Sequence, residues 1–149
     1  MSKQEEAGLI LKLYELRREE VMRKARNWMA MEFNPESLED IEKAIFGEHS
    51  AYYRMVVSYW EMACSFVTNG AIDAQMFNDA NGEHVFYFAK IQPFLAELRE
   101  KNGTPTTLQH MEKVVMGMPD AEKRLEITRG NINRMMARRA HAADQSLRV

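Results

Sequence analysis

The spacing of apolar residues predicts helices along almost the whole chain. From about Gln4 to Glu32 the apolar positions recur every three or four residues without a proline, which predicts one long N-terminal helix. The segment from about His49 to Asn69 is apolar around most of its circumference, which is typical of a helix at the centre of a bundle. Its polar residues also recur every three or four positions, so they form one narrow polar stripe.

Proline, asparagine and glycine positions predict where the other helices begin and end. The pair Asn34-Pro35 predicts the start of a short second helix, and Asp73 predicts the N-cap of a fourth. Pro93 predicts a bend one turn earlier in the fifth helix, because proline lacks a backbone N–H donor. The pairs Thr104-Pro105 and Met118-Pro119 predict the starts of the last two helices. No segment alternates apolar and polar residues long enough for a convincing strand. The predicted fold class is therefore all-α, a bundle of about five to seven helices.

The length of 149 residues suits a single hydrophobic core. We expect one helical domain over residues 1–140. Residues 141–149 are small, polar or charged, which predicts a frayed C-terminal tail.

Composition excludes several classes of function. A net charge of -2 gives no reason to expect a nucleic-acid partner. Arg134 and Arg138 share a face of the last helix, but the cluster is small and lacks aromatic neighbours, so binding of anions or nucleic acid is the least favoured hypothesis. The single cysteine, Cys64, excludes an intramolecular disulfide and reads as a small core residue. Without a signal-peptide pattern or a long apolar stretch, we expect a cytoplasmic protein with no membrane segment.

The polar stripe carries the candidate binding residues Arg54, Ser58 and Glu61, to which we add His84 from the fifth helix. If Glu61 is buried in its apolar helix, its pKa would rise and it could act as a general acid, a general base or a ligand. The favoured interpretation is instead a solvated structural stripe. The alternative is a small metal- or ligand-binding protein or enzyme that uses Glu61 with His84 or His110 in a pocket between helices.

Motifs that would specify chemistry are absent from the sequence. There is no Glu-x-x-His pair of the kind that carboxylate-bridged metal bundles use, so we predict no metal site. There is also no phosphate-binding loop, dinucleotide fingerprint or nucleophile motif. We therefore predict no cofactor and no catalytic residues, which favours a protein that is not an enzyme.

Twelve methionines are many for this length, and several lie at helix ends, where flexible thioethers can line adaptable surfaces. The candidate interface residues are Trp28, Met29, Met135 and Met136. The long first helix exceeds what a compact domain needs, so we expect it to bury part of its face against a second copy of the chain.

Four short segments resemble an uncharacterised bacterial helical domain family. They are residues 59–63 (YWEMA), 69–73 (NGAID) and 91–95 (IQPFL), followed by the helix over 108–115. The resemblance extends over about residues 50–116 and implies a helical bundle. The family has no known activity, so the resemblance implies no catalytic residues.

These observations predict a non-enzymatic module for protein–protein interaction or regulation. We expect it to form a homo-oligomer, most simply a dimer, and to bind a protein partner that the sequence does not identify.

Overall fold

The computed structural model describes residues 2–148, which form an all-α fold without β-strands in that range. The predicted fold class is confirmed, but the number of helices is eight rather than five to seven. The helices are α1 (Lys3–Leu16), α2 (Glu20–Met31), α3 (Leu38–Phe46), α4 (Ser50–Thr68), α5 (Ala74–Ala80), α6 (Glu83–Asn102), α7 (Gln109–Met116) and α8 (Ala121–Leu147).

The prediction of one long N-terminal helix is wrong, because the helix is interrupted between α1 and α2. Arg17 forms the C-cap of α1, and the Glu19 carboxylate caps α2 by accepting from the N–H groups of Val21 (3.0 Å) and Met22 (2.9 Å). The freed carbonyl of Arg17 accepts from Arg26 Nη1 at 3.1 Å. Each exposed helix end thus finds a charged partner, which offsets the loss of helical hydrogen bonds. The run of charged residues at 17–20 is the sequence signal for this break.

The core is arranged around α4. Its apolar inner face packs against α2, α3 and α7, while α6 packs between α7 and α8. Trp60 lies fully buried at the middle of α4, in edge-to-face contact with Phe77 of α5 at a ring distance of 6.3 Å. The apolar segment predicted over about His49 to Asn69 is therefore the central helix of the fold.

Two predicted helix starts lie a few residues too early. The N-cap of α3 is Ser37, whose hydroxyl accepts from the Asp40 N–H at 3.3 Å, so Asn34-Pro35 belong to the preceding loop. Residues 104–108 form turns, and α7 begins only at Gln109. The other capping prediction in this part of the chain is confirmed, because the Asp73 carboxylate accepts from the Met76 N–H at 2.9 Å at the start of α5.

Charged side chains also complete the backbone hydrogen bonds of α2 and α6. Lys90 is almost fully buried, and its ammonium donates to the carbonyls of Met29 (2.8 Å), Ala30 (3.0 Å) and Phe33 (2.8 Å) at the C-terminal end of α2. Pro93 lies inside α6 and cannot donate to the carbonyl of Ala89. Arg129 of α8 supplies that missing donor through Nε at 3.0 Å.

Helix α8 is half packed and half exposed. Leu125 and Ile132 are buried against the core, whereas every side chain over residues 137–148 is exposed. The helix continues through Leu147, where a frayed tail is predicted from 141 onward, and residue 149 lies outside the described range. None of the helices within residues 2–148 is both long and apolar enough to cross a lipid bilayer.

Candidate functional site

Glu61 has a structural partner on another helix. Its two carboxylate oxygens accept from the backbone N–H groups of His110 (3.1 Å) and Met111 (2.7 Å), which are the exposed donors at the start of α7. The N-cap residue of α7, Leu108, supplies no side-chain cap. Glu61 therefore replaces the missing N-cap from outside the helix, and the dipole of α7 favours its negative charge.

The other residues of the polar stripe lie at the surface. Arg54 and Ser58 are exposed; Arg54 Nε donates to Ser50 Oγ at 3.2 Å, and Ser58 Oγ donates to the carbonyl of Met55 at 3.3 Å. His110 Nδ1 lies 2.6 Å from the hydroxyl of Thr68, near the C-terminal end of the same helix. The Arg54 and Ser58 contacts stay within α4, whereas the His110 contact joins α7 to the end of α4.

His84 is the second residue of α6, and its side chain lies in the core against Trp60. Its ring is tilted against Trp60 and Phe77 at centroid distances of 5.6 and 4.9 Å, and its Nε2 lies 2.7 Å from Asn78 Oδ1. Burial lowers the pKa of His84 to about 4, so the imidazole is neutral at physiological pH. His84 and Glu61 thus have separate partners on separate helices, and the predicted pair does not form one site.

The described residues offer no site for metal or thiol chemistry. Within residues 2–148, no three His, Cys, Asp or Glu side chains are grouped so that they could hold a metal ion. Cys64 is fully buried in α4, and burial together with the nearby Glu61 charge raises the pKa of its thiol. A thiol in such surroundings stays protonated and unreactive.

The predicted interface residues do not form one surface. Met29 is fully buried in the core, so its assignment to an interface is wrong. Trp28 is partly buried and stacks on His49 of the same chain at a ring distance of 4.8 Å. Met135 and Met136 are partly exposed on α8, and Met136 Sδ accepts from Asn34 Nδ2 at 3.4 Å.

A groove lies between the α1–α2 junction and the outer face of α4. Its volume is about 990 Å³. We call it the α4 groove, and nine residues line it: Glu15, Leu16, Arg18, Glu19, Met22, Met55, Ser58, Tyr59 and Met62. Tyr59 fixes one wall, because its hydroxyl donates to the carbonyl of Leu13 in α1.

An apolar line of side chains on α4 forms the floor of the groove. Met55, Tyr59 and Met62 follow one another at spacings of four and three residues, and Phe66 continues the line one turn further. At about 100° per residue these positions share one helix face, roughly a third of a turn away from the buried face that contains Val56. The exposed fractions are 39% for Met62 and 37% for Phe66.

This apolar face was not predicted from the sequence. The signal that could have revealed it is the presence of two apolar lines on α4 rather than one. A helix can direct only one of them at its own core unless a second element covers the other. In this chain the α1–α2 junction reaches part of the second line and leaves the rest open.

Comparison with known proteins adds a family assignment. A family model described as a domain of unknown function, DUF4760, matches residues 4–118. The chain belongs to the DUF4760 family. No curated protein and no solved structure matches it.

The DUF4760 match confirms the resemblance to an uncharacterised family. The matched range contains all of α1 except its first residue, all of α2 to α7, and all nine residues of the α4 groove. Helix α8 begins at Ala121, after the match ends. The groove is therefore built from the DUF4760 part of the chain alone.

Proposed function

We propose that the protein is a non-enzymatic interaction module that self-associates through the α4 groove. The observation that carries the proposal is the apolar face of α4 that the rest of the chain leaves uncovered beside a groove of about 990 Å³. Exposed apolar surface of this kind costs free energy in water, and burial against a partner recovers about 25 cal/mol for each Å² removed from solvent.

The side chains around the groove suit a protein surface better than a small substrate. Leu16 is 48% exposed at one edge, opposite Met62 of α4. Three of the nine lining residues are methionines, whose unbranched thioether chains adjust to a partner's shape. Three of the polar groups in the lining already have partners within the chain: the Glu19 carboxylate caps α2, and the hydroxyls of Ser58 and Tyr59 donate to backbone carbonyls.

The charges at the rim favour a second copy as the partner. Glu15 and Arg18 carry opposite charges one helical turn apart, and both are exposed. In a two-fold dimer, each protomer uses the same surface patch. If residue i of one protomer contacts residue j of its partner, then residue j of the first also contacts residue i of the partner. Glu15 of each protomer would then oppose Arg18 of its partner. A strongly acidic or strongly basic partner would leave one of these charges opposed by a like charge.

Two of the candidate binding residues, Glu61 and His84, already have partners within the fold, which favours an interaction role over catalysis. Glu61 caps α7, and His84 is a neutral core side chain. Neither is free to act on a substrate, so we assign both residues to the stability of the fold.

Sedimentation velocity over about 1 to 200 µM protein tests the proposal, because this range brackets micromolar dissociation constants. We expect a concentration-dependent dimer. Met62→Glu places a charge in the apolar contact and should weaken the dimer at least about tenfold, or about 1.4 kcal/mol.

Ile127→Glu is the matched control, since Ile127 is 53% exposed on α8, away from the residues that line the groove. This variant should dimerise as the wild type does, and thermal unfolding should show that both variants are folded. A wild-type chain that stays monomeric up to the highest concentration contradicts the proposal. So does an equal loss of dimer in Met62→Glu and Ile127→Glu.

A further inference from the structure

A second cavity lies between α6, α8 and the loop that joins α2 to α3. Its volume is about 520 Å³, within the range that small-molecule sites occupy. We call it the α6–α8 pocket. Its apolar wall is formed by Pro93, Phe94, Ile132 and Met136. It shares no lining residue with the α4 groove.

Lys90 lines this pocket, and its ammonium is directed at the C-terminal end of α2 and lies over the Phe86 ring at 4.8 Å. Only 6% of the residue is exposed, and burial lowers the pKa of its ammonium to about 8. Its three hydrogen bonds go to backbone carbonyls at the end of α2, and no carboxylate within the described chain pairs with it. Carbonyl dipoles solvate the ammonium but do not cancel its charge.

Arg129 adds a second cation whose binding capacity is only half used. Its Nε donates to the carbonyl of Ala89 at 3.0 Å, and its Nη2 donates to Gln92 Oε1 at 2.7 Å. These bonds occupy one edge of the guanidinium. The other edge, formed by Nη1 and the outer N–H of Nη2, makes no hydrogen bond within residues 2–148. Planar guanidinium edges match carboxylates, which they bind through two parallel hydrogen bonds.

The lining therefore combines an arginine with one free edge, a buried lysine whose ammonium is bonded to backbone carbonyls, and an apolar wall. The one acidic residue in its lining, Glu36, is exposed and forms no ion pair with either cation among the described residues. An excess of positive charge in a partly dry pocket raises the local concentration of negatively charged ligands. The complementary ligand carries one negative group for Arg129 and an apolar body for the wall.

We propose that the α6–α8 pocket binds a small organic carboxylate with an apolar body. The carboxylate accepts from the free edge of Arg129 in the field of Lys90, and the hydrocarbon part lies against Phe94 and Met136. Helix α8 thereby contributes half of a ligand site whose other half comes from α6 and the α2–α3 loop. This site is independent of self-association.

Octanoate is the probe, measured by titration calorimetry at pH 7, and 1-octanol is the uncharged comparison of equal chain length. We expect one saturable octanoate site per chain and binding of 1-octanol that is at least about tenfold weaker, since a charge-assisted pair contributes roughly 1.5 to 3 kcal/mol. Arg129→Gln should weaken octanoate binding by at least about tenfold. Arg138→Gln, an exposed arginine on the same helix, should leave it unchanged.

A second pair of variants separates ligand binding from folding. Met136→Glu and Met136→Gln have nearly the same size and differ by one charge. Met136→Glu should abolish octanoate binding because it places a tethered carboxylate in the pocket, while Met136→Gln should retain binding within about threefold. The proposal is overturned if octanoate does not saturate one site, if it binds no better than 1-octanol, or if Met136→Glu and Met136→Gln bind it equally.

Discussion

The two sides of α4 are both apolar, but they differ in what covers them. On the inner side, Trp60, Ala63 and Cys64 are fully buried by the surrounding helices. On the outer side, Met62 and Phe66 remain more than a third exposed beside the α4 groove. Apolar residues on the inner side of α4 thus complete the core, whereas those on the outer side are available to a partner.

The polar residues show the same division. Glu61 and His84 are held by internal contacts on the covered part of the molecule, whereas Glu15 and Arg18 stand at the rim of the open groove. A residue with titratable chemistry is therefore not by itself a sign of a reactive site here. The groups that a titratable residue contacts determine its role.

The largest expected difference between the two sides concerns methionine. Met29 is a residue of α2 and is fully buried in the core, while Met62 lies on the open side of α4. Met29→Ala should lower the free energy of unfolding by about 3 kcal/mol through lost burial and a cavity. Met62→Ala should cost less than about 1 kcal/mol in the monomer, since much of its side chain already contacts water. Urea unfolding at low protein concentration measures both, and equal costs would contradict the division.

A comparable effect should appear as a pH dependence of stability. His84 has a pKa of about 4 in the folded chain, lowered by burial from an ordinary value near 6.5. Below pH 6.5 the unfolded chain binds a proton that the folded chain excludes, so stability is complete above that pH and falls towards pH 4. The loss is at most about 1.4 kcal/mol per pH unit, or about 3 kcal/mol in total.

Between pH 6.5 and 4, the difference in slope between wild type and His84→Gln separates this effect from the carboxylates, which titrate in the lower part of the same window in both proteins. His84→Gln should flatten the dependence of unfolding free energy on pH in that window, whatever its baseline stability. His141→Gln, on the exposed part of α8, should keep the wild-type slope. If His84→Gln and wild type share one slope, His84 is not a neutral core residue.

A smaller effect is expected from the cap of α7. Glu61→Ala removes two hydrogen bonds to the exposed N–H groups at the start of α7 and should cost about 2 kcal/mol. Glu61→Gln keeps an acceptor and loses only the charge, so it should cost about 1 kcal/mol. Equilibrium unfolding measures both changes. A cost below about 0.5 kcal/mol for Glu61→Ala would mean that the carboxylate is not a cap.

Helical periodicity made most of the fold predictable, because proline, glycine and capping residues lie close to where helices end. The start of α5 at Asp73 and the central position of α4 follow from local patterns. The late start of α7 does not, because its cap comes from Glu61, 49 residues away in sequence; the break at Arg17 is marked by the charged run at 17–20 but is completed by Arg26 of the next helix. Contacts between helices decided those ends.

The candidate site was less predictable than the fold. A carboxylate on an apolar helix looks the same in sequence whether it caps a neighbouring helix or enters a pocket, so Glu61 could not be assigned. The open face of α4 depends on how far the α1–α2 junction reaches across it, which only the packed structure gives. Lys90 and Arg129 gave no sequence signal, because each is a single charge within an ordinary helix.

A charge exchange at the rim of the α4 groove tests self-association most directly. In a two-fold dimer, Glu15→Arg alone sets arginine against Arg18 of the partner subunit, and Arg18→Glu alone sets glutamate against the partner's Glu15. Each variant alone should dimerise about tenfold more weakly than wild type, since exposed pairs contribute up to about 1 kcal/mol and two pairs reverse sign. An equimolar mixture of the two variants restores opposite charges at both contacts. Random pairing alone gives twice as much mixed dimer as either homodimer, so native mass spectrometry of that mixture should show the mixed dimer well above this twofold ratio. A mixture at or below the twofold ratio would contradict self-association through this groove.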